Sequence, residues 1–424
     1  MTAPMLRELS CADDYDPDSL SVDAARAAIR RFLQPVTTVE RVHIRAALDR
    51  VLAADIQSPL DVPGHDNSAM DGWAVRFADV DAVRPTTLRR IGESFAGKPY
   101  PGTVGAGEAV RIFTGAVMPH GSDTVVMQER ATATAEGVTV APNAVNRAGQ
   151  NRRIAGEDVK RGAIVFRAGQ RVRPAELGML ASIGVGECTV YRKLRVAFFS
   201  TGDELRSIGQ PLAAGEIYDS NRYTLYGMLM RLNCDVVDMG VVPDVPEALE
   251  RALASASATA DVVITSGGVS VGEADYVRDL LAKLGEVLFW KIAMKPGRPL
   301  AYGKIGGAHF FGLPGNPVSA MVTFYQFVRE ALLVLMGVPN PAPLPTLKAV
   351  CITPIKKAPG RTEFQRGILA PDSDGQWTVR VTGNQGSGIL SSMSQANCFI
   401  VLPDAQGNTP AGATVDVQVL EGLI

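Results

Sequence analysis

The chain has 424 residues and a mass of 45.0 kDa, with 46% hydrophobic and 20% charged residues, a composition ordinary for folded soluble proteins. This length predicts about three domains at roughly 150 residues each. The 42 basic and 44 acidic side chains give a net charge of −2, which argues against binding to nucleic acid through bulk charge.

The sequence gives little sign of an export signal, a membrane span or a metal site built from cysteine and histidine. No apolar run approaches the ~18 residues of a membrane helix, and the N-terminus lacks the basic and apolar pattern of an export signal. The 5 cysteines and 4 histidines are dispersed and form no CxxC pair, which argues against a zinc ribbon or a disulfide framework. We therefore expect a cytoplasmic protein with reduced thiols, in which any catalytic metal is a hard cation held by carboxylates.

Helical and β patterns alternate in the first half of the chain. Ser21 is a good N-cap for a helix over 22–34, and apolar spacing predicts a second helix over 43–54. Residues 60–145 contain short apolar runs separated by Gly and Pro, which predicts a small β domain. A helical pattern returns at 174–183.

From residue 194, strand-like and helix-like segments alternate, which predicts a parallel sheet with helices on both faces. The predicted strands cover 195–199, 235–241, 261–265, 287–292 and 308–311, and the predicted helices cover 222–232, 245–256, 275–284 and 317–336. Four prolines within 339–345 predict a stiff linker, and the short strands and Gly turns of 346–424 predict a final β domain.

Three predicted strands of the α/β region end in turns of small and polar residues. These strand ends and their turns lie within 196–205, 262–275 and 310–319. Ligands of open α/β sheets bind at the carboxyl ends of strands, where Gly allows close approach, and Pro317 in a first helical turn leaves N–H groups free for an anion. Each turn alone is compatible with an ordinary βα connection, but three together favour a phosphate-bearing ligand with a divalent cation.

Basic residues gather in one short segment. Lys291, Lys295 and Arg298 are close in sequence and flanked by Pro and Gly, so they could bind an oxyanion, although a solvated basic edge explains the same pattern. In the last domain, Arg366 adds a cation, and the loop 386–388 adds a flexible hydroxyl group. In the β region and after it, 63–74, 111–115 and 151–158 are dense in small and charged residues, which surface turns also explain.

Two familiar motifs are excluded by their context. GESFAGKP (92–99) looks like a P-loop, but Pro99 replaces the hydroxyl that ligates magnesium, and no strand–helix unit surrounds it. GVSVG (268–272) matches a serine-hydrolase turn, but His309, the one histidine after it, lies in a predicted strand rather than a loop.

Together these segments resemble the bacterial molybdopterin molybdenumtransferase family over nearly the whole chain, from about residue 20. The motifs that carry the resemblance are DNSAMDG (66–72), RIFTGA (111–116), GED (156–158), FSTGDEL (199–205), DSNR (219–222), SGGVSVGEADY (266–276), KPGRP (295–299) and GLPGNPVSA (312–320). His65 and Trp73 stand where the family usually has Phe and Tyr.

The resemblance implies a multidomain α/β and β protein. Its four domains would be a discontinuous N-terminal domain (20–58 and 146–192), an inserted β domain (59–145), a molybdopterin-binding α/β domain with a parallel sheet (193–338) and a C-terminal β barrel (346–424). The division made from sequence texture alone gives the same four segments.

The resemblance also implies a Mg²⁺-dependent transferase that joins molybdate to the dithiolene of adenylylated molybdopterin and releases AMP. Asp275 and Glu204 would hold the cation, and Asp244 is a further acidic position near the ligand. The implied substrate-binding residues are Gly267, Gly268 and Ser270 for the pterin phosphate, Lys295, Arg298, Arg366 and Ser387 for molybdate, and Lys291, Pro314 and Pro317 beside them.

A homodimer is implied as well, in which Asp66 and Thr114 complete the site from the partner subunit and Arg153 and Asp158 lie near that seam. The upstream molybdopterin adenylyltransferase is a candidate docking partner, whereas no nucleic acid or membrane partner is expected. Two alternatives stay open: a non-catalytic molybdopterin-binding scaffold and a functionally diverged paralogue.

Overall fold

The computed structural model describes residues 19–267, 280 and 283–420. They form two compact units, one made of 41–48 and 52–189 and the other of the remaining described residues. The four-domain division stays a prediction, because these two units do not test its boundaries.

The smaller unit is built around one mixed sheet of six strands. Their order across the sheet is Thr124–Met127, Gly72–Val75, Glu108–Ile112, Thr86–Ser94, Gly137–Val140 and Ala131–Ala133. The central pair, Glu108–Ile112 with Thr86–Ser94, is parallel, and the other pairs are antiparallel. Apolar side chains pack on both faces, with Trp73 buried on one of them. The predicted β structure of this region is therefore confirmed.

Short elements surround this sheet. They are the antiparallel pairs Asn67–Ser68 with Arg152–Arg153 and Ile56–Gln57 with Ile164–Phe166, the 3-10 turns Ile44–Ala47, Phe77–Asp79 and Gln128–Arg130, the helix Pro174–Ser182, and the strands Val39–His43 and Glu187–Tyr191. Pro174 opens its helix, as the missing proline N–H allows, so the helix predicted at 174–183 is confirmed.

The second predicted helix, over 43–54, is wrong. Only Ile44–Ala47 is helical, as a single 3-10 turn. Asp49 takes a left-handed backbone conformation with φ of 62°, which an α-helix cannot continue through. By contrast, the first predicted helix is confirmed as Val22–Arg30, where the Ser21 hydroxyl accepts the Ala24 N–H as an N-cap.

The larger unit contains a six-stranded mixed sheet. Its order is Asp235–Val242, Arg195–Thr201, Val262–Ser266, Ala308–Leu313, Pro299–Ile305 and Gly285–Lys291. The first four strands are parallel, as predicted, and the last two are antiparallel to their neighbours. The strand Pro299–Ile305 is missing from the sequence prediction, because its first residue, Pro299, was assigned to the basic segment before it.

Helices cover both faces of this sheet, as predicted. They are Ser220–Arg231, Pro246–Thr259 and a continuous helical run made of Pro317–Thr323, the π-turn Phe324–Val328 and Arg329–Leu335. Leu225 and Val318 pack in the core on one face, and Leu249 packs in the core on the other. The helix predicted over 275–284 falls largely outside the described residues.

The run Pro317–Leu335 corrects one sequence expectation. It has 19 residues, and its most apolar window reaches a mean hydropathy of 1.4, so by length and composition it could cross a membrane. However, 78% of that window is buried inside the protein. It is the central helix of a core, which explains its apolar composition.

The C-terminal region forms a closed five-stranded barrel, as predicted. Its strands are Thr346–Cys351, Thr362–Pro371, Trp377–Val381, Cys398–Leu402 and Thr414–Val419, with a short helix at Leu390–Gln395. Pairing of Thr362–Pro371 with Cys398–Leu402 closes the ring. The two-residue strand Met294–Lys295 adds to Thr362–Glu363 and so ties the predicted basic segment to the barrel. The short parallel pair Leu205–Arg206 and Ile217–Tyr218 completes this unit.

Candidate active site

An open cleft of about 950 Å³ lies at the carboxyl ends of the four parallel strands of the larger unit. Eight residues predicted from the sequence line it: Glu204, Asp244, Gly267, Lys295, Arg298, Pro314, Pro317 and Ser387. The cleft thus brings together the turns after Thr201, Ser266 and Leu313, as expected for strands whose carboxyl ends share one edge, and Ser387 adds to it from the barrel.

Gly267 shows why the second strand end needs glycine. Its φ is +95°, and a β-carbon there would lie 2.3 Å from the carbonyl oxygen of Thr201. Its N–H donates to the carbonyl of Leu313 at 3.1 Å, so the first, second and third strand ends meet at this residue. Any side chain at this position would force these turns apart.

Carboxylates reach the cleft from two strand ends. Glu204 is exposed, and Asp244 accepts a hydrogen bond from the Thr201 hydroxyl at 3.3 Å. Within the described ranges, no group of three or more His, Cys, Asp or Glu side chains is placed to hold a metal ion. The predicted residues Gly268, Ser270 and Asp275 lie outside the described residues, so their places in the site stay predictions.

Cations also line the cleft. Lys295 is half exposed and lies 3.6 Å from the buried carboxylate of Glu363, and Arg298 lines the cleft beside it. Arg361, which the sequence analysis did not single out, also lines the cleft from the barrel. Lys291 is not among the lining residues; it lies in the edge strand of the sheet, opposite Pro299.

Arg366 occupies a different place from the one its charge suggested. Its side chain is only 1% exposed, and its guanidinium donates to the Ser392 hydroxyl at 2.9 Å and to the Gly386 carbonyl at 2.9 Å. Burial lowers the pKa of Arg366 to about 10. Since Arg366 is absent from the cleft lining, its predicted direct contact with molybdate is not supported by this geometry.

What Arg366 does hold is the loop that carries Ser387. The loop lines the cleft, and the Ser387 carbonyl accepts the Val318 N–H at 3.1 Å, near the start of the central helix. The barrel loop and the start of the central helix therefore meet at Ser387, and its predicted role in holding molybdate stays a prediction.

In the smaller unit, Asp66 and Thr114 do not contact each other through their side chains. Asp66 accepts hydrogen bonds from the Arg152 guanidinium and, at 2.7 Å, from the Ala155 N–H. Burial acts to raise the pKa of Asp66, but these two hydrogen bonds outweigh it and lower the pKa. This carboxylate therefore ties down the segment after Arg152.

Asp71, which the sequence analysis did not select, is the carboxylate that Thr114 contacts. Both the N–H and the hydroxyl of Thr114 donate to Asp71, each at 2.8 Å, and these bonds lower the pKa of Asp71. The next residue, Gly72, is obligatory, because a β-carbon would lie 1.9 Å from the Val126 carbonyl oxygen. The signal was present in the sequence, since Asp71 belongs to the same DNSAMDG motif as Asp66.

Two other predicted residues are exposed on this unit. Arg153 pairs with Asn67 across a two-residue ladder, next to Arg152. Asp158 donates its backbone N–H to the Val62 carbonyl at 3.0 Å. Both side chains are open to solvent, which is compatible with a predicted seam between subunits and does not test it.

Fold and cleft define the class: an α/β protein with a cleft at the carboxyl ends of the parallel strands of a mixed sheet, lined by Lys295, Arg298 and Arg361, to which a β barrel contributes part of the lining. Three family models match in chain order: the MoeA N-terminal region (domain I and II) at 20–184, a probable molybdopterin binding domain at 197–334, and the MoeA C-terminal region (domain IV) at 348–420.

Individual proteins are similar over almost their entire length. The molybdopterin molybdenumtransferase of Haemophilus influenzae is 45% identical over 96% of this chain and 100% of its own, and that of Nostoc sp. is 37% identical over 90% and 88%. A crystal structure of the molybdopterin biosynthesis moeA protein from Pyrococcus horikoshii matches with a TM-score of 0.81 and 30% identity, covering 95% of this chain and 100% of that one. The chain belongs to the molybdopterin molybdenumtransferase family.

Proposed function

We propose that this enzyme inserts molybdate into adenylylated molybdopterin and releases AMP, giving the molybdenum cofactor. The observation that carries the proposal is the cleft itself, in which glycine-rich strand ends face the cations Lys295 and Arg298 and the hydroxyl of Ser387. One wall suits a phosphate, and the other suits a small oxyanion. Near full-length identity to proteins named molybdopterin molybdenumtransferase supports the same reaction.

The phosphates of the substrate would bind where the strand ends converge. Gly267 has no side chain, so phosphate oxygens can approach its backbone closely. Pro314 and Pro317 stiffen the neighbouring turn, which limits the ordering cost of binding. Gly268 and Ser270 would extend this cradle.

Molybdate would bind on the barrel side. It is a tetrahedral dianion, so charged donors from Lys295 and Arg298 and the Ser387 hydroxyl would hold its oxygens. Arg366 would act indirectly, by fixing the Ser387 loop through its bond to Gly386.

Magnesium dependence is part of the proposal. Glu204, with Asp275, would hold Mg²⁺, and the exposed Glu204 carboxylate at a strand end fits a hard cation. The ion, when bound, would stabilise the negative charge that develops as the pyrophosphate is cleaved. Asp244 would orient the Thr201 turn next to it.

A cytoplasmic homodimer completes the proposal, with Asp66 and Thr114 of one subunit, and the Asp71 that Thr114 contacts, serving the cleft of its partner. Since Thr114 donates to Asp71, a change at either residue should disturb the same site.

The deciding experiment incubates the purified chain with adenylylated molybdopterin, molybdate and magnesium and measures AMP by chromatography. We expect AMP to be released only when molybdate and magnesium are both present. Tight binding of adenylylated molybdopterin without AMP release would instead identify a scaffold, and AMP release with a different oxyanion alone would identify a diverged paralogue.

A further inference from the structure

Asn221, second residue of the helix Ser220–Arg231, lines the cleft although it was not selected from the sequence. It is only 7% exposed. Its amide nitrogen donates two hydrogen bonds, to the Ser266 hydroxyl at 2.6 Å and to the Gly315 carbonyl at 2.7 Å. One side chain on a helix therefore contacts two neighbouring strand ends.

These two hydrogen bonds lie at the end of the sheet and just beyond it. The strands pair in register up to Ser266 and Leu313, and the Gly267 N–H to the Leu313 carbonyl is the next bond along. Beyond this point the turn at 314–316 leaves the sheet, but Gly315 stays adjacent to Gly267. A β-carbon built on Gly315 would lie 3.8 Å from the Cα of Gly267. The Asn221 amide is thus placed to hold this turn beside Gly267.

The chemistry of the site favours an amide at this position. Two acceptors, a hydroxyl and a carbonyl, receive bonds from a single nitrogen, which requires an –NH₂ group. Aspartate has the same shape but no donor, and its charge would face the Gly315 carbonyl. Within the described part of the chain, the buried Asn221 Oδ1 has no hydrogen-bond partner, so it remains able to accept a donor.

We propose that Asn221 is a positioning residue, which holds the Ser266–Gly267 and 314–316 turns in the arrangement that binds the phosphate of molybdopterin. This inference rests on the proposed use of the cleft for molybdopterin but not on the release of AMP. Misplacement of a binding turn by about 1 Å can reduce activity about 100-fold, so the effect should be measurable.

The test compares the full chain with Asn221→Asp and, as a matched control on the exposed side of the same helix, Tyr223→Phe. Two quantities are measured: amide hydrogen exchange of peptides spanning 262–267 and 312–317, and the Kd for molybdopterin from fluorescence quenching. For Asn221→Asp we expect faster exchange in both peptides and a roughly 10- to 100-fold higher Kd, whereas the control matches the wild type.

Asn221→Ser, which keeps one hydrogen-bond donor, is measured as well in case Asn221→Asp fails to fold. Its amide exchange rates and its Kd for molybdopterin should lie between those of the wild type and those expected for Asn221→Asp. Unchanged Kd in a folded Asn221 variant would overturn the proposal, and so would unchanged exchange in both peptides. If the wild type binds molybdopterin but releases no AMP, the proposed function fails while the Asn221 inference is still decided by the same data.

Discussion

Burial decides what the charge of Arg366 can do. The sequence has Arg366 and the hydroxyl loop 386–388 in the same domain, and the family resemblance covers both Arg366 and Ser387. Together these observations predict a shared role in oxyanion binding. The structure separates them, because the guanidinium lies beneath the loop and bonds to Gly386 and Ser392, while Ser387 faces the cleft. Exposure of a single side chain cannot be derived from spacing alone.

This distinction gives a prediction. Lys295→Ala should weaken the use of molybdate with little change in melting temperature, because Lys295 is 53% exposed. Arg366→Ala should weaken molybdate use and also lower the melting temperature, since each lost hydrogen bond to this charged group costs about 1.5–3 kcal/mol. Melting curves and AMP release at varied molybdate would be measured on both. If the Arg366→Ala protein had wild-type stability but its AMP release no longer depended on molybdate, we would conclude that Arg366 contacts molybdate directly.

His309 provides a prediction on pH. It is 6% exposed, and burial, with a smaller effect of Lys304, lowers its pKa to about 4, although Asp261 acts to raise it. Between pH ~6.5 and ~4 the unfolded chain takes up a proton at this residue and the folded chain does not. Stability should therefore fall on acidification through this window, by up to about 1.4 kcal/mol per pH unit from this residue.

His309→Gln isolates that contribution, because glutamine does not titrate. Unfolding by urea at pH 7 and pH 5 should show a smaller stability loss in His309→Gln than in the wild type. Equal losses in the two proteins would mean that carboxylates alone cause the acid sensitivity. The burial of His309 in a strand also agrees with the rejection of a serine-hydrolase site made from the sequence.

The two aspartates of one motif make different contacts, since Asp66 accepts the Ala155 N–H and Asp71 accepts both donors of Thr114. DNSAMDG contains two aspartates five positions apart, and nothing in their spacing separates them. Asp71 reaches Thr114 because Gly72 packs directly on Val126 and brings the motif's end against the strand that precedes Thr114. That close approach is a tertiary feature.

At the scale of elements, the parallel strands and their helices follow from the alternation of apolar runs and amphipathic segments. The missed strand Pro299–Ile305 and the wrong helix at 43–54 have specific causes. A proline at the first residue of a strand is tolerated but masks the strand. Among the apolar residues whose spacing predicted the helix at 43–54, Leu52 is buried but Leu48 is exposed, so they do not share one buried helix face. Propensity is overridden in both cases by packing.

The central helix contains a π-turn, Phe324–Val328, whose Gln326 is 1% exposed. Arg26 donates to the Gln326 carbonyl at 2.9 Å and also contacts its side-chain oxygen, and the Gln326 amide donates to Gln418 at 2.9 Å. Such turns shift the helical bonding pattern, and here the side chain at the turn links the first helix, the central helix and the barrel.

Gln326→Leu keeps the volume of the side chain but removes its two side-chain hydrogen bonds, to Arg26 and Gln418. It should destabilise the fold by about 1–3 kcal/mol, because one of the lost bonds is to a charged group. Glu330→Gln is the control on the same helical run: its pair with Arg30 at 3.1 Å is on the surface and should contribute about 0–1 kcal/mol. Urea midpoints report the difference. A midpoint for Gln326→Leu equal to that of the control would show that the link does not stabilise the fold.

At the scale of the whole molecule, the two compact units each have their own cores, and each contains part of the predicted catalytic set. Of that set, Glu204 and Asp244 belong to the larger unit, and Asp66 and Thr114 belong to the smaller one. Within each unit, the strands and turns of that unit position the predicted residues. The proposed assembly from two subunits depends instead on an interface between two chains. The local spacing of apolar residues, which predicts helices and strands, does not specify such an interface.

Subunit complementation tests that assembly. Glu204→Gln and Asp71→Asn should each nearly abolish AMP release. When the two chains are mixed and allowed to exchange subunits, half of the dimers should be mixed, and each mixed dimer should have one intact site, so about a quarter of the wild-type activity should return. A matched control mixes Glu204→Gln with Asp244→Asn: both changes lie in the larger unit, every site then carries a defect, and activity should stay lost. No recovery in the first mixture, despite sedimentation showing dimers that exchange, would mean that a single chain supplies the complete site.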